Sequence, residues 1–343
     1  MSLARAILSG DVAELPSRRD EAWRWSDIRG LVRVLPGPSA PGPESLPPGP
    51  FEGAAQDTIT IVNGQGPQAL RLADGEARAI VLRYVGAGDG AHVSRLAIDL
   101  APGSRLTLLE SHEGEGAFVT QADLAITIAR GAALERIVIA DEPEGAVSVT
   151  RAEVALREAA QFAQTVITTG ARRQRLETVV DHAGHGARAR LDGLYLVDGR
   201  RHADLTTVVR HLGPHGATDQ LTKGVVAGQG RGVFQGLIEV ARGADGADAR
   251  MGHHALVVGE RAEVDAKPEL QIYADDVACT HGNSIGALDE EALFYARQRG
   301  IPEAQARALL TEAFVIQVVD RIEHPAAREA VRAFVARQTA RLA

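Results

Sequence analysis

The segment YADDVACTHGN (273–283) gathers four groups able to bind a metal, Asp275, Asp276, Cys279 and His281, within seven residues. Cys279 and His281 are two apart, so on a strand both project from one face. A thiolate beside an imidazole suits a soft or borderline metal such as iron or zinc. Two donors do not close a site, so the remaining ligands would have to come from another chain. A small buried thiol and an ordinary surface histidine explain the same residues equally well.

Histidines also cluster upstream, His182 and His185 in DHAGH and His211 and His215 in RHLGPH. LETVVDHAGHGA (176–187) resembles LTTVVRHLGPHGA (205–217) with one residue inserted, which superposes His182 on His211 and His185 on His215. If the segments stack, these pairs form a ladder able to bind a metal. A polar turn repeated along with its repeat gives the same pattern. A catalytic zinc there would also want orienting carboxylates, and Asp181 and Asp204 are the nearby ones in sequence. His253 and His254 are adjacent, so on a strand they face opposite ways and do not easily share a metal.

Other chemistry is missing. There is no phosphate-binding GxxxxGK[ST] and no GxSxG; GAGDG (86–90) and GQGRG (228–232) lie among strand-like segments with no helix to follow. One cysteine excludes an internal disulfide framework and a self-sufficient thiolate metal site, and it fits a reducing compartment. A net charge of −8 without a basic run weighs against a nucleic-acid partner. Aromatic residues, at 4%, are too scarce for stacking platforms. No apolar run approaches the ~20 residues of a membrane span, and the first residues lack the pattern of a secretory signal.

The elements that must hold these residues divide the 343-residue chain into unequal parts. Residues 1–35 read as a short helical arm, with Leu3, Ile7, Leu8 and Val12 on one helix face and Trp23 and Trp25 pinning it to the body. Residues 36–55 form a Pro/Gly-rich linker, in which PGPSAPGPESLPPGP holds seven of the fifteen prolines. Residues 56–287 read as short strands. LAIDL (96–100), LAITI (124–128) and AEVAL (152–156) start 28 residues apart, and Leu106, Leu134 and Phe162 keep the same spacing. A repeat of strands and turns that lacks a helix stacks as coils, because no coil buries its apolar edge alone. The expected fold is therefore mainly β, a parallel β-helix of roughly eight coils. A propeller repeat is longer, at about 40–45 residues.

Residues 288–343 read as helical. Asp289 is the expected N-cap of EEALFYARQR, Gly300 its stop, and Pro302 and Pro325 sit at the start of two further helices. Ala313–Val319 is apolar almost all round and is expected to be buried.

The order KPELQIYADDV, CTHG, LFYARQRGI, together with RRHADLTTVVRHLGPHGATDQLTKGVV and GRGVFQGLIEVARGADGADARM, resembles the SufB/SufD family of iron–sulfur cluster assembly scaffolds. The Trp-bearing LPSRRDEAWRWSDI is similar to the family's N-terminal signature. The resemblance is strongest over 200–300 and weakest over 56–170. Two features place it on the SufD side. Gln271, Ile272 and Tyr273 stand where SufB-like chains carry a cysteine, and His281-Gly282 stands where they have His-Glu. GHHAL (252–256) departs from an Asn-rich run common in the family, and the chain is on the short side for it.

The resemblance implies a right-handed parallel β-helix flanked by helical segments. It implies a cytoplasmic, non-catalytic scaffold that pairs with a SufB homologue and grips a SufC-type ATPase through its C-terminal helices. The cargo is a transient iron–sulfur cluster shared with SufB; no cofactor is held stably, and ATP is used by the SufC partner. His281 matches the histidine that the family assigns on the SufD side, and Cys279 matches a common but less firmly assigned cysteine. Whether the chain pairs with itself when SufB is absent stays open. A carbohydrate-active β-helix enzyme and a self-associating solenoid adaptor are the competing readings.

Overall fold

A computed structural model describes residues 1–342. The chain opens with a seven-residue helix, α1 (Leu3–Ser9), and two 3-10 turns, Val12–Glu14 and Glu21–Trp23. Seventeen strands follow: β1 (Asp57–Val62), β2 (Ala69–Leu72), β3 (Ala77–Ala87), β4 (Ala91–Leu100), β5 (Arg105–Glu115), β6 (Val119–Ile128), β7 (Ala133–Ala140), β8 (Val147–Leu156), β9 (Gln161–Thr168), β10 (Arg173–His182), β11 (Arg188–Val197), β12 (His202–His211), β13 (Ala217–Ala227), β14 (Arg231–Val240), β15 (Ala247–Val258), β16 (Glu263–Ile272) and β17 (Val277–Gly286). Three helices end the described chain, α2 (Glu290–Gln298), α3 (Glu303–Val319) and α4 (Pro325–Leu342).

The odd-numbered strands form one nine-stranded sheet and the even-numbered strands an eight-stranded sheet. Every pairing is parallel and joins a strand to the next but one. This is a two-sheet solenoid of about eight coils. The 28-residue repeat is its register: Leu96 pairs with Leu124 and Leu124 with Ala152, while Leu106 pairs with Leu134 and Leu134 with Phe162. Strict alternation explains why. Leu96, Ile98 and Leu100 of β4 turn inward and are 2% exposed or less, whereas Arg95 just before them is exposed and Ala97 and Asp99 between them are half-buried. The inner faces of both sheets share one apolar interior.

A column of turns ties the coils together. Gly75, Gly103, Gly131, Ala159, Gly186, His215 and Gly246 all have positive φ. Each donates its backbone N–H one coil onward: Gly103 to the Arg130 carbonyl, Gly131 to Glu158, Ala159 to His185, Gly186 to Pro214 and His215 to Asp245. Five of the seven are glycine, which takes this conformation without a Cβ clash. The column also corrects the sequence alignment of the histidine turns. Arg188 pairs with Ala217 and His182 with His211, so the offset stays at 29 residues through the turn. His215 therefore stacks on Gly186, and Pro214 rather than His215 is the counterpart of His185. Both flanking strands must keep one stacking distance, which leaves no room for an inserted residue.

The terminal segments cover the outer faces. Leu3, Ala6, Leu15 and Ile28 of the arm pack on Val119, Val147 and Val149 of the eight-stranded sheet. The tryptophans are only half-buried, and polar contacts complete the docking. Arg175 lies beneath the Trp23 ring, 4.4 Å from its centroid, and donates to the Ala22 carbonyl at 2.8 Å. Asp204, wholly buried, accepts from Arg175, Ser26, Thr206 and Gln235. The proline-rich segment has no regular structure, as its missing donors require, yet it is fastened at several points. Ser39 bonds to Ala91 across a parallel bridge, Pro47 accepts from Arg83, and Phe51 is 1% exposed against the nine-stranded sheet.

On that sheet's outer face, Val315, Val318 and Val319 of α3 and Val331 and Val335 of α4 pack over Ile137, Leu194 and Val225. Asp289 caps α2 by accepting from the Glu291 and Ala292 amides, and Gly300 has the left-handed φ of +84° that ends it. Pro302 is the N-cap of α3 and Pro325 opens α4.

Candidate functional site

The site is the last coil, β16 and β17. Each pairs along one edge only, with β14 and β15 respectively, and no described strand pairs with the other edge. The inward row of β15 is Ala249, Met251 and His253, at 0%, 2% and 0% exposure. One coil on, the same row of β17 is Cys279, His281 and Asn283, in register with those three. Cys279 is half-buried against the core, while His281 and Asn283 are exposed. The interior of the solenoid thus ends in a thiol, an imidazole and an amide.

Burial raises the Cys279 thiol above its ordinary pKa; the Asp248 charge adds to this and a hydrogen bond with the Ala249 backbone opposes it. The thiol therefore stays protonated near neutrality, and a metal must displace its proton to bind. Among the described residues no three His, Cys, Asp or Glu side chains converge as a metal site. Asp275 and Asp276 lie in the turn before β17, outside the inward row, where the Asp276 carbonyl accepts from Gly246.

Asn283 ends a buried relay. Its Oδ1 is 2.6 Å from His253 Nδ1, and His253 Nε2 is 2.8 Å from the Tyr195 hydroxyl. The Phe234 ring stacks parallel to His253 with centroids 4.7 Å apart. An amide oxygen only accepts, so Nδ1 carries the proton and Nε2 accepts from Tyr195. Burial lowers the His253 pKa to about 4, which keeps the ring neutral. Tyr195 reaches His253 because Gly224 lies under its ring: a Cβ on Gly224 would sit 1.9 Å from the ring carbons. Reading the sequence alone missed Asn283 and Tyr195, and the CTHGN run gives a signal only for the first.

On the outer face of the same strands, Lys223, His254 and Ser284 stack in register across β13, β15 and β17. Lys223 donates to the Phe314 carbonyl and to Gln317 Oε1, both at 2.8 Å, and His254 Nδ1 lies 2.7 Å from Ser284 Oγ. This row connects α3 to the strand that carries Cys279 and His281. His253 and His254 do face opposite ways.

The four histidines of the expected ladder, His182, His185, His211 and His215, are brought together without carboxylates. His182 and His211 are wholly buried and stack at 4.4 Å, and both Nε2 atoms share the Thr218 hydroxyl at 3.2 and 3.0 Å. A hydroxyl has one proton, so one ring accepts and the other donates. Burial holds their pKa values at about 3 and about 4. His185 and His215 meet edge-on at 5.1 Å. Asp181 is paired with Arg210 and Asp204 with Arg175, so neither orients a ring.

The family model for the SufBD core domain of SUF-system FeS cluster assembly matches residues 83–314. The chain belongs to the SufB/SufD family. Within the family it is a SufD-type member. It is 32% identical to the iron–sulfur cluster assembly protein SufD of Escherichia coli, over 69% of this chain and 56% of that protein. A SufBD family protein of Mycobacterium tuberculosis, Rv1462, is 25% identical over 95% of this chain and 89% of its own length. SufD of Bacillus subtilis is 32% identical over 36% of the chain and 28% of its own. The chain thus spans little more than half of the Escherichia coli SufD it matches. No described helix is long and apolar enough to cross a membrane.

Proposed function

We propose that the chain is a non-catalytic scaffold subunit of a SUF-type assembly complex in the cytoplasm, and that the last coil is its half of a shared cluster site. The observation that carries this reading is the open end of the solenoid. Its inward row supplies Cys279 and His281 with nothing opposite them, and both outer strand edges have unpaired backbone groups. Unpaired edges of this kind are templates for pairing with another chain. A SufB homologue docking there adds the missing thiolate donors and covers the exposed Ile272, Tyr273 and Ile285, at 41%, 57% and 44% exposure. The nascent iron–sulfur cluster is the cargo built between the two chains.

The helices after residue 289 are the natural seat of a SufC-type ATPase. Phe294 and Tyr295 of α2 are 62% and 61% exposed, and Leu309 of α3 is 47% exposed. Such aromatic anchors are typical of interface centres. Movement of α3 on ATP binding by that partner reaches β17 through Lys223, His254 and Ser284, since packed elements shift as rigid bodies.

Co-expression with the SufB and SufC homologues of the same organism, followed by size exclusion with light scattering, tests the reading. A complex of one copy of this chain, one SufB and two SufC is expected. If the chain elutes alone, or binds only itself, the scaffold reading fails.

A further inference from the structure

The arm carries a basic pocket that the cluster site does not use. Arg18, Arg19, Arg29 and Arg33 from the arm and Arg173 from the start of β10 line an open pocket of about 610 Å³, together with Ser17, Asp27, Gly30 and Leu31. The four arm arginines are exposed and Arg173 is half-buried. Five guanidinium groups thus converge around one carboxylate, on a chain whose net charge is −8. Asp27 is already engaged, accepting from the Gly30 amide at 2.9 Å. Among the described residues none of the five arginines forms an ion pair, whereas Arg175, two residues along the strand from Arg173, is paired twice. The Arg173 Nε is buried without a partner, and its Nη1 has only a long contact, 3.4 Å, to the Trp25 carbonyl.

Converged like charges repel, and a buried guanidinium N–H without an acceptor costs free energy. Both costs fall when a multiply charged oxyanion enters. A guanidinium presents paired N–H donors that match phosphate oxygens two at a time. The walls hold no aromatic ring and one apolar side chain, Leu31, so there is nothing to grip a base or a sugar. Recognition here is by charge and oxygen geometry. The surrounding negative charge disfavours a long polyanion, which would run off the pocket.

We propose that this pocket binds a compact polyphosphate anion, either inorganic pyrophosphate or the phosphate tail of a nucleotide. It lies on the outer face of the eight-stranded sheet, the sheet opposite to the one that the C-terminal helices cover.

Isothermal titration of the full chain at physiological salt tests it, with inorganic pyrophosphate, inorganic phosphate and ADP as separate probes. Saturable binding is expected for pyrophosphate and weaker binding for phosphate. If ADP matches pyrophosphate, the pocket reads phosphates whatever carries them; if ADP binds much more weakly, the free anion is the ligand. Arg29→Ser with Arg33→Ser, both at exposed positions, is expected to lower pyrophosphate affinity by about tenfold or more at unchanged melting temperature. Arg29→Lys with Arg33→Lys keeps the charge, loses the paired donors and is expected to fall between. The proposal is overturned if pyrophosphate gives no saturable signal, or if the serine variant binds it as well as the parent. It is also overturned if that variant loses only its association with the SufB or SufC homologue, which would make the pocket a protein-docking face.

Discussion

His281 lies in register with Met251, one coil apart on the same inward row, with Met251 2% exposed and His281 exposed. The stacking rule that buries one of them leaves the other at the surface, because no coil follows. A residue placed this way contributes little to the core but is fixed in direction by the strand beneath it. Its neighbour Asn283 is anchored through His253 to Tyr195.

Replacing His281 with Ala is therefore expected to leave the melting temperature within about 1 °C, since exposed substitutions fall within ~0.5 kcal/mol. Iron and sulfide recovered with the co-purified complex are expected to drop severalfold. A complex that falls apart would mean that His281 is structural. Cys279→Ser is expected to have the smaller effect on cluster yield, because its thiol is half-buried and held protonated.

The turn column gives a stability prediction of opposite sign at neighbouring coils. Ala159 sits at φ +52° where the coil before it has Gly131 at +65°. An L-residue in this region costs about 1 kcal/mol relative to glycine. Ala159→Gly is expected to raise unfolding free energy by about 1 kcal/mol and Gly131→Ala to lower it by about as much. Urea melts of the two variants decide this, and equal midpoints would refute it.

Acid sensitivity follows from the buried imidazoles. Burial depresses His182 and His202 to about 3 and His211 and His253 to about 4. In the unfolded chain each titrates near 6.5, so below that pH the unfolded state binds more protons. Their stabilisation is complete above pH 6.5 and is lost as pH falls toward 4, by up to about 1.4 kcal/mol per pH unit for each ring. The urea midpoint is expected to fall steeply from pH 7 to pH 5. His211→Phe keeps the stack on His182 and is expected to flatten that slope by about one proton. An unchanged slope would mean that His211 takes up its proton as readily in the folded chain as in the unfolded one.

Asp204 is the keystone of the arm. It is wholly buried and pairs with Arg175, itself 2% exposed. Asp204→Ala leaves the buried Arg175 guanidinium with Glu177 as its one carboxylate and takes this acceptor from Ser26, Thr206 and Gln235, and is expected to cost about 3 kcal/mol. Ser26→Ala removes one neutral donor and is expected to cost about 1 kcal/mol. Limited proteolysis is expected to cut within residues 16–35 first in Asp204→Ala; a protected arm would mean that the apolar contacts of Leu15 and Ile28 suffice.

The sequence discloses the solenoid because the 28-residue spacing of Leu96, Leu124 and Ala152 is itself the stacking register. The helix boundaries are equally legible, since Asp289, Gly300 and Pro325 carry their own local physics. The pairing of Cys279 with His281 on one face needs only strand periodicity. What stays hidden depends on contacts between coils. Tyr195, His253 and Asn283 belong to strands spread over four coils, and nothing local relates them. The inserted residue at 185/215 misleads because His–Gly–Ala recurs in the sequence while the backbone register does not slip. The buried Arg175 reads as an ordinary surface charge until the arm is laid across it.

The parallel ladder of the nine-stranded sheet also makes the molecule a spacer of fixed increments. Strand spacing is ~4.8 Å, so β1 and β17 stand roughly 38 Å apart, eight steps along the axis. Deleting one 28-residue coil would bring the terminal row nearer to the first strand by a single step, without turning it to another face. Reach along this axis comes in whole steps, so two proteins gripped at different heights on the stack are set apart by a count of coils that no point substitution can adjust.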